Sequence, residues 1–280
     1  LAREVASRLS DAVEDRGCAS LSVGGGRFPK PFFQRLSTKE VPWEKVWVTL
    51  GDERWVSPSD DASNEKLVRD YLLNGPAAAA RFTGLKTEHA NPSDGLGEIE
   101  SRLEAIPALF DVTIVGMGED GHTASLFPSA ERHELEQGLR PAAGEQVALL
   151  HPEVSDVARI SLTLPRLMAS RWLVIAAPGD GKLRTLESAL GSDDIYAMPV
   201  RALFEQSDVP VEFWWARELN EGMDAMNTTL ESVTARIRER SKDERAAYLA
   251  RIDGAKRDGR YRSALSCGNL AHGFAACGGE

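Results

Sequence analysis

An aspartate and a histidine two residues apart, on a turn rich in glycine, are the residues of this sequence best suited to acid–base chemistry. They lie in GMGEDGHTASLFP, residues 116 to 128. The glycines let the chain turn sharply after a buried strand and bring backbone N–H groups close to a ligand. Asp120 and His122 then project from the turn. A carboxylate beside an imidazole holds it in one orientation and keeps it basic enough to act as a general base. A lone histidine in a loop more often caps the next element. Here the whole string stands at the end of a predicted strand, and that context favours function.

Three further segments have the composition of a polar ligand site. GDERWVSPSDDASN, residues 51 to 64, follows directly on a predicted strand. Its triplet Asp52, Glu53 and Arg54 is costly there unless partnered or solvated in a cleft; the bland reading is a solvated loop. Ser63 and Asn64 fit a helix N-terminus and are candidates for binding ligand oxygens. GGGRFPKPFF, residues 24 to 33, puts a glycine turn between a strand and a helix. Such a turn makes an anion nest from backbone N–H groups, although by itself it also reads as a plain tight turn. Arg159 opens a later strand, and Lys182 follows the glycine turn PGDG. Each alone reads as a surface charge; together they supply the local positive field that a phosphate requires. His89, His133 and His151 lack such a setting and read as surface or loop residues. Trp214 and Trp215 read as packing residues. The sequence contains neither a GxSxG elbow nor a GxxxxGK[ST] loop, which argues against an α/β serine hydrolase and a P-loop nucleotidase.

The elements that must position these residues alternate. Val5, Leu9, Ala12 and Val13 fall on one face of an initial helix. ASLSV, KVWVTL, FDVTIV, ARISLTL, RWLVIAA and VEFWW read as strands, and PFFQRL and SNEKLVRDYLL as helices. Strands alternating with helices predict an α/β fold with a parallel sheet flanked by helices. In such sheets ligands bind at the carboxyl ends of the strands. Four strands end in GGGR, GDER, GMGEDGH and APGDGK, so these four endings are predicted to converge.

The chain has 280 residues, 42% of them apolar, and a formal net charge of −10. That balance gives no bulk attraction to nucleic acid or to an anionic membrane, so any phosphate site must be built locally. No apolar run approaches the roughly 20 residues of a membrane helix. The amphipathic start lacks the apolar stretch of a signal peptide, and the first residue is Leu1 rather than Met, so a short native N-terminus is expected to precede it. The three cysteines, Cys18, Cys267 and Cys277, are odd in number and sparse. They do not suggest a disulfide framework or zinc-site spacing, which points to a reducing cytoplasm.

These motifs, in this order, resemble those of 6-phosphogluconolactonases. GMGEDGHTASLFP is similar to the family signature, GDERWVSPSDDASN to its second motif and GGGRFPKPFFQRLS to its phosphate loop. ARISLTLP and APGDGK match its later arginine and lysine motifs. The resemblance covers roughly residues 1 to 218. It implies a modified Rossmann-like α/β fold, shared with glucosamine-6-phosphate deaminases. It also implies hydrolysis of 6-phosphoglucono-δ-lactone to 6-phosphogluconate with neither metal nor cofactor. Carried over, it makes His122 the base that activates water, with Asp120 beside it and Asp52 and Arg54 lining the pocket. The catalytic set is then His122, Asp120 and Asp52. Gly25, Gly26 and Arg27, with Arg159 and Lys182, are implied to hold the phosphate. The sequence departs from the family loop at Gly24 and Phe28, where small hydroxyl residues are usual, which removes two side-chain donors. Two rival readings are a deaminase-like sugar-phosphate isomerase and a non-catalytic sugar-phosphate sensor.

Character changes near residue 220. Residues 221 to 280 are predicted to form a helical extension, polar and locally basic, ending in a glycine- and alanine-rich stretch. From Met226 this tail resembles the beginning of 6-phosphogluconate dehydratase, without the residues needed for that enzyme's cluster. The expectation is a truncated fusion or a join between neighbouring genes.

Overall fold

The computed structural model describes residues 1–26, 28–191, 194–205 and 209–215. Helix α1 (Ala2–Arg16) buries Val5, Leu9, Ala12 and Val13, the face its spacing predicts. Strand β1 (Ala19–Val23) is buried along its whole length, as a central parallel strand must be. It pairs on one side with β2 (Val46–Leu50) and on the other with β5 (Val112–Val115). The sheet extends through β4 (Arg81–Thr83) beyond β2, and through β8 (Leu173–Ala176) and β9 (Val211–Trp214) beyond β5. All five pairings are parallel. Helices α2 (Pro29–Leu36), α3 (Asn64–Tyr71), α4 (Pro92–Leu103), α5 (Arg132–Leu139), α6 (Leu164–Met168) and α7 (Asp180–Gly191) complete the α/β layering.

The chain moves outward from β1 through β2 to β4, then returns to the other side of β1 as β5. This reversal makes the gap above β1 and β5 a topological switch point, where open α/β sheets bind ligands. The Gly24 N–H donates to the Ile114 carbonyl at 2.9 Å, so the glycine turn after β1 and the Asp120–His122 turn after β5 start side by side.

The sheet assignment departs from the sequence expectation in one respect. ARISLTLP does not join the parallel sheet. Its strand β7 (Arg159–Leu162) lies in a separate antiparallel sheet between β3 (Asp52–Arg54) and β6 (Val147–Leu150). A single residue, Gly51, separates β2 from β3. Its N–H donates to Val23 in the first sheet, and its carbonyl accepts from Leu162 in the second, both at 2.8 Å. The Asp52–Arg54 triplet is therefore a strand rather than a loop. A short apolar run reports burial but not its partner, and β7 pairs with residues about a hundred positions earlier.

Trp214 and Trp215 are buried, as expected of packing residues, and Trp214 meets the edge of Trp172 with centroids 6.3 Å apart. Among the described residues, no helix is long and apolar enough to cross a membrane. The predicted boundary near 220 and the helical tail lie outside the described residues.

Candidate active site

The turn after β5 is held by its own backbone. The Gly118 N–H donates to the His122 carbonyl at 2.8 Å, and the Thr123 hydroxyl donates to the Gly116 carbonyl at 3.0 Å. Within this frame Asp120 Oδ1 lies 2.6 Å from His122 Nδ1 and accepts the His122 backbone N–H at 3.2 Å. Burial pushes the Asp120 carboxyl up, but the hydrogen bond from His122 and its charge outweigh this. The net result lies below the ordinary carboxylate value. An ionised carboxylate can only accept hydrogen bonds, so Nδ1 carries a proton, and in the neutral ring Nε2 presents the lone pair. The His122 side chain is 29% exposed, which leaves an approach for substrate. Gly118 makes room for the pair: a Cβ there would overlap both His122 Nδ1 and Asp120 Oδ1.

The remainder of the string braces the pair. The Phe127 ring stacks on the His122 imidazole, with centroids 3.9 Å apart and planes 29° apart. From outside the string, Val200 donates its N–H to the Gly121 carbonyl at 2.8 Å.

Strand β3 brings the second set. Asp52 is 6% exposed and accepts the Ser125 hydroxyl at 2.6 Å, tying β3 to the turn that carries His122. Asn64 Nδ2 approaches the same carboxylate at 3.3 Å. Ser161, opposite Asp52 on β7, accepts the Ser125 N–H at 3.3 Å. Glu53 serves the scaffold. Its buried carboxylate accepts the N–H groups of Arg54, Asn64 and Glu65 and the hydroxyl of Ser63 at 2.7–3.0 Å. Burial pushes this carboxyl up, against the pull of those donors. It thereby anchors the start of α3, where a negative charge is favoured.

Ser63 and Asn64, expected to bind ligand oxygens, are buried with internal partners. Ser63 caps α3, accepting the Lys66 N–H at 3.2 Å while donating to Glu53. Asn64 donates to the Asp52 carbonyl at 2.8 Å and accepts from Arg54 Nη1 at 2.9 Å. Both act on the site through the charged residues they hold.

Arg54 and Arg159 are register partners across β3 and β7. Arg54 Nη1 also donates to the Ala62 carbonyl at 2.7 Å, and Arg159 Nη2 reaches the Ser155 hydroxyl at 3.4 Å. Among the described residues, the buried Nε atoms of both lack a hydrogen-bond partner. Burial lowers the Arg159 guanidinium from its ordinary value, the charge of Arg54 lowers it further, and Asp52 and Glu53 oppose the change. Two adjacent, partly buried cations with donors to spare make a candidate anion site.

The glycine turn after β1 packs against Asn64. A Cβ at Gly25 would collide with the Asn64 amide, the group that holds Arg54, and Gly26 takes a φ of 97°. Arg27 lies outside the described residues. Lys182, in the first turn of α7, is half-buried. Its helix is tied to the catalytic turn by Thr185, whose hydroxyl donates to the Glu119 carbonyl at 3.2 Å. Trp215 Nε1 pins the preceding Gly179 carbonyl at 2.8 Å. Among the described residues, no group of three His, Cys, Asp or Glu side chains is arranged to hold a metal ion. His151 makes a second histidine–carboxylate pair, 2.7 Å from Glu134, on the exposed surface.

Sequence reasoning did not single out Ser125, Ser161 or Phe127. Ser125 and Phe127 lie inside the quoted signature, but their importance depends on contacts with β3 and the imidazole that spacing does not reveal.

The family model for glucosamine-6-phosphate isomerases/6-phosphogluconolactonase matches residues 1–214. A 6-phosphogluconolactonase of Rhizobium meliloti (strain 1021) is 42% identical over 217 residues, which span 77% of this chain and 92% of that protein. One from Pseudomonas putida is 39% identical over 216 residues, covering 77% and 86%. The crystal structure of a 6-phosphogluconolactonase from Shewanella baltica OS155 superposes with a TM-score of 0.74 at 41% identity, covering 76% of this chain and 90% of that one. This chain belongs to the glucosamine-6-phosphate isomerase/6-phosphogluconolactonase family.

Proposed function

We propose that this protein hydrolyses 6-phosphoglucono-δ-lactone to 6-phosphogluconate, with His122 as the general base, in the pentose phosphate and Entner–Doudoroff routes of sugar-phosphate metabolism. The observation that carries the reading is the His122–Asp120 pair, on the turn after β5 beside the switch point, with the imidazole 29% exposed. The relatives at 42% and 39% identity are named 6-phosphogluconolactonases, which favours a lactone over an amino-sugar substrate.

The chemistry is economical. A δ-lactone carbonyl is already electrophilic, so a positioned base and a source of orientation suffice. Nε2 takes a proton from water as the water oxygen bonds to C1. The tetrahedral intermediate then expels the ring oxygen, which takes the proton back from the imidazolium and becomes the C5 hydroxyl. Asp120 stabilises the imidazolium between the two steps. Arg54, Arg159 and Lys182, with the N–H groups of Gly25 and Gly26 and the side chain of Arg27, hold the remote phosphate. Its binding energy orients the carbonyl. Asp52 holds the turn through Ser125 and offsets the arginine charge. No step calls for a metal or a cofactor.

The protein is cytoplasmic in this reading, since a phosphorylated lactone is made and consumed inside the cell. It needs neither nucleic acid nor membrane. Residues 1–220 form the catalytic unit, and 221–280 are a fused piece resembling the start of a dehydratase that consumes 6-phosphogluconate.

The test is proton release from freshly generated lactone, above the spontaneous rate, for wild type and His122→Ala. Loss of about 10²–10⁴-fold in kcat in the variant supports the base. A wild type no faster than the uncatalysed reaction overturns the assignment and favours a sugar-phosphate sensor.

A further inference from the structure

We infer that Phe127 is a positioning residue that fixes the plane of the His122 imidazole and holds it in register with Arg159. The inference rests on the lactonase reading above.

An imidazole tied only at Nδ1 retains a degree of freedom. A hydrogen bond tolerates a range of angles, so the ring can still rock about its Cβ–Cγ bond, and that rocking carries Nε2 through an arc. The bond to Asp120 fixes where the ring is held but not how it is tilted. Phe127 supplies the missing constraint by stacking on the imidazole face, with centroids 3.9 Å apart and planes 29° apart. The Phe127 backbone is itself held, and its ring is packed. The residue is buried, its N–H donates to the Ser125 carbonyl at 3.1 Å, and its carbonyl accepts from Ala130 at 3.2 Å. The preceding Leu126 is fully buried, and its N–H donates to Thr123 at 3.0 Å. A rigid turn thus presents a rigid aromatic face.

The same ring also meets Arg159, whose guanidinium carbon lies 5.4 Å from its centroid. One side chain therefore contacts both the base and an arginine of the anion site. The distance between phosphate and scissile carbonyl is fixed by the substrate's own bonds. A protein that grips one and attacks the other must hold base and cation at a matching separation, and misplacement of about 1 Å costs on the order of 10²-fold in rate. Phe127 is placed to maintain that separation.

The experiment compares wild type, Phe127→Leu and Phe127→Tyr in the full chain, with circular dichroism melts to report folding. Phe127→Leu is expected to lower kcat by about 10- to 100-fold while KM changes by less than about twofold. Phe127→Tyr, which keeps the aromatic face, is expected to restore most of kcat. The His122 Cε1 proton is expected to show an upfield ring-current shift in wild type and Phe127→Tyr, and to lose it in Phe127→Leu. If Phe127→Leu does not fold, Phe127→Met, closer in volume, is read in its place. Full kcat in the folded Leu or Met variant, a matching rise in KM, or failure of the tyrosine to rescue would each overturn the inference. A wild type without turnover is a different result: it overturns the lactonase reading, and the absence of the ring-current shift would then sink the positioning role as well.

Discussion

Arg54 and Arg159 face each other across an antiparallel strand pair, and the buried Nε atoms of both lack a partner among the described residues. Like charges held together in a half-buried site repel one another unless an anion joins them. Replacing Arg159 with Ala is therefore expected to raise KM at least tenfold, as loss of a charge-assisted hydrogen bond of about 1.5–3 kcal/mol requires. kcat should change much less. Inorganic phosphate should raise the thermal midpoint of wild type and have little effect on the Arg159→Ala protein. Steady-state kinetics and a phosphate titration followed by melting check both statements.

Asp120 sets which nitrogen of His122 carries the proton. Asp120→Asn presents an amide able to donate as well as accept, so the imidazole loses its preferred tautomer. A fall in kcat of about 10²–10⁴-fold is expected, with KM nearly unchanged. The same carboxylate gives a pH signature. Its value in the folded protein is depressed, so its contribution to stability is fully present above the unfolded value, near 3.9, and is lost as pH falls through the folded value. Denaturant unfolding from pH 7 into the acid range should show the wild-type advantage over Asp120→Asn shrinking only below that unfolded value.

Gly118 is needed for space. A methyl group there meets both members of the base pair, so Gly118→Ala must push His122 and Asp120 apart. The expected outcome is a loss of kcat of at least about 10²-fold, the size of a 1 Å misplacement. The melting curve should move far less than kcat does, because the His122 and Asp120 side chains that must move are partly exposed. Equal losses of activity and folded fraction would count against this view.

Ser125 joins the catalytic turn to the second sheet through a 2.6 Å bond to the buried Asp52. Ser125→Ala leaves a carboxylate short of one donor. The expected cost is about 1.5–3 kcal/mol of unfolding free energy, the range for hydrogen bonds to charged groups. Ser125→Cys, with a weaker donor, should fall between the two. Equilibrium urea unfolding measures the series.

Much of the site was legible in the sequence because its chemistry is local. Asp120 and His122 are two residues apart, so a single glycine turn brings them together wherever it stands. The parallel sheet was equally legible: β1, β2, β5 and β8 are short buried apolar runs, and their glycine-rich endings mark the carboxyl edge. Ser63 was readable as a helix start from its type and position, and the structure confirms it as the cap of α3.

Tertiary structure decided what depends on partners distant in the chain. Apolar spacing marks ARISLTL as a strand but cannot say that it leaves the main sheet to lie against GDER, because register is set by the packing of both strands at once. That pairing turns two separate charges, Arg54 and Arg159, into one candidate anion site. It also buries Glu53 beneath α3 and commits Ser63 and Asn64 to the scaffold. Phe127 was visible as a letter in the signature, yet only the folded turn places its ring against both the imidazole and the guanidinium. The sequence by itself determined which groups are candidates for proton transfer and phosphate binding; the fold determined how far apart they are held.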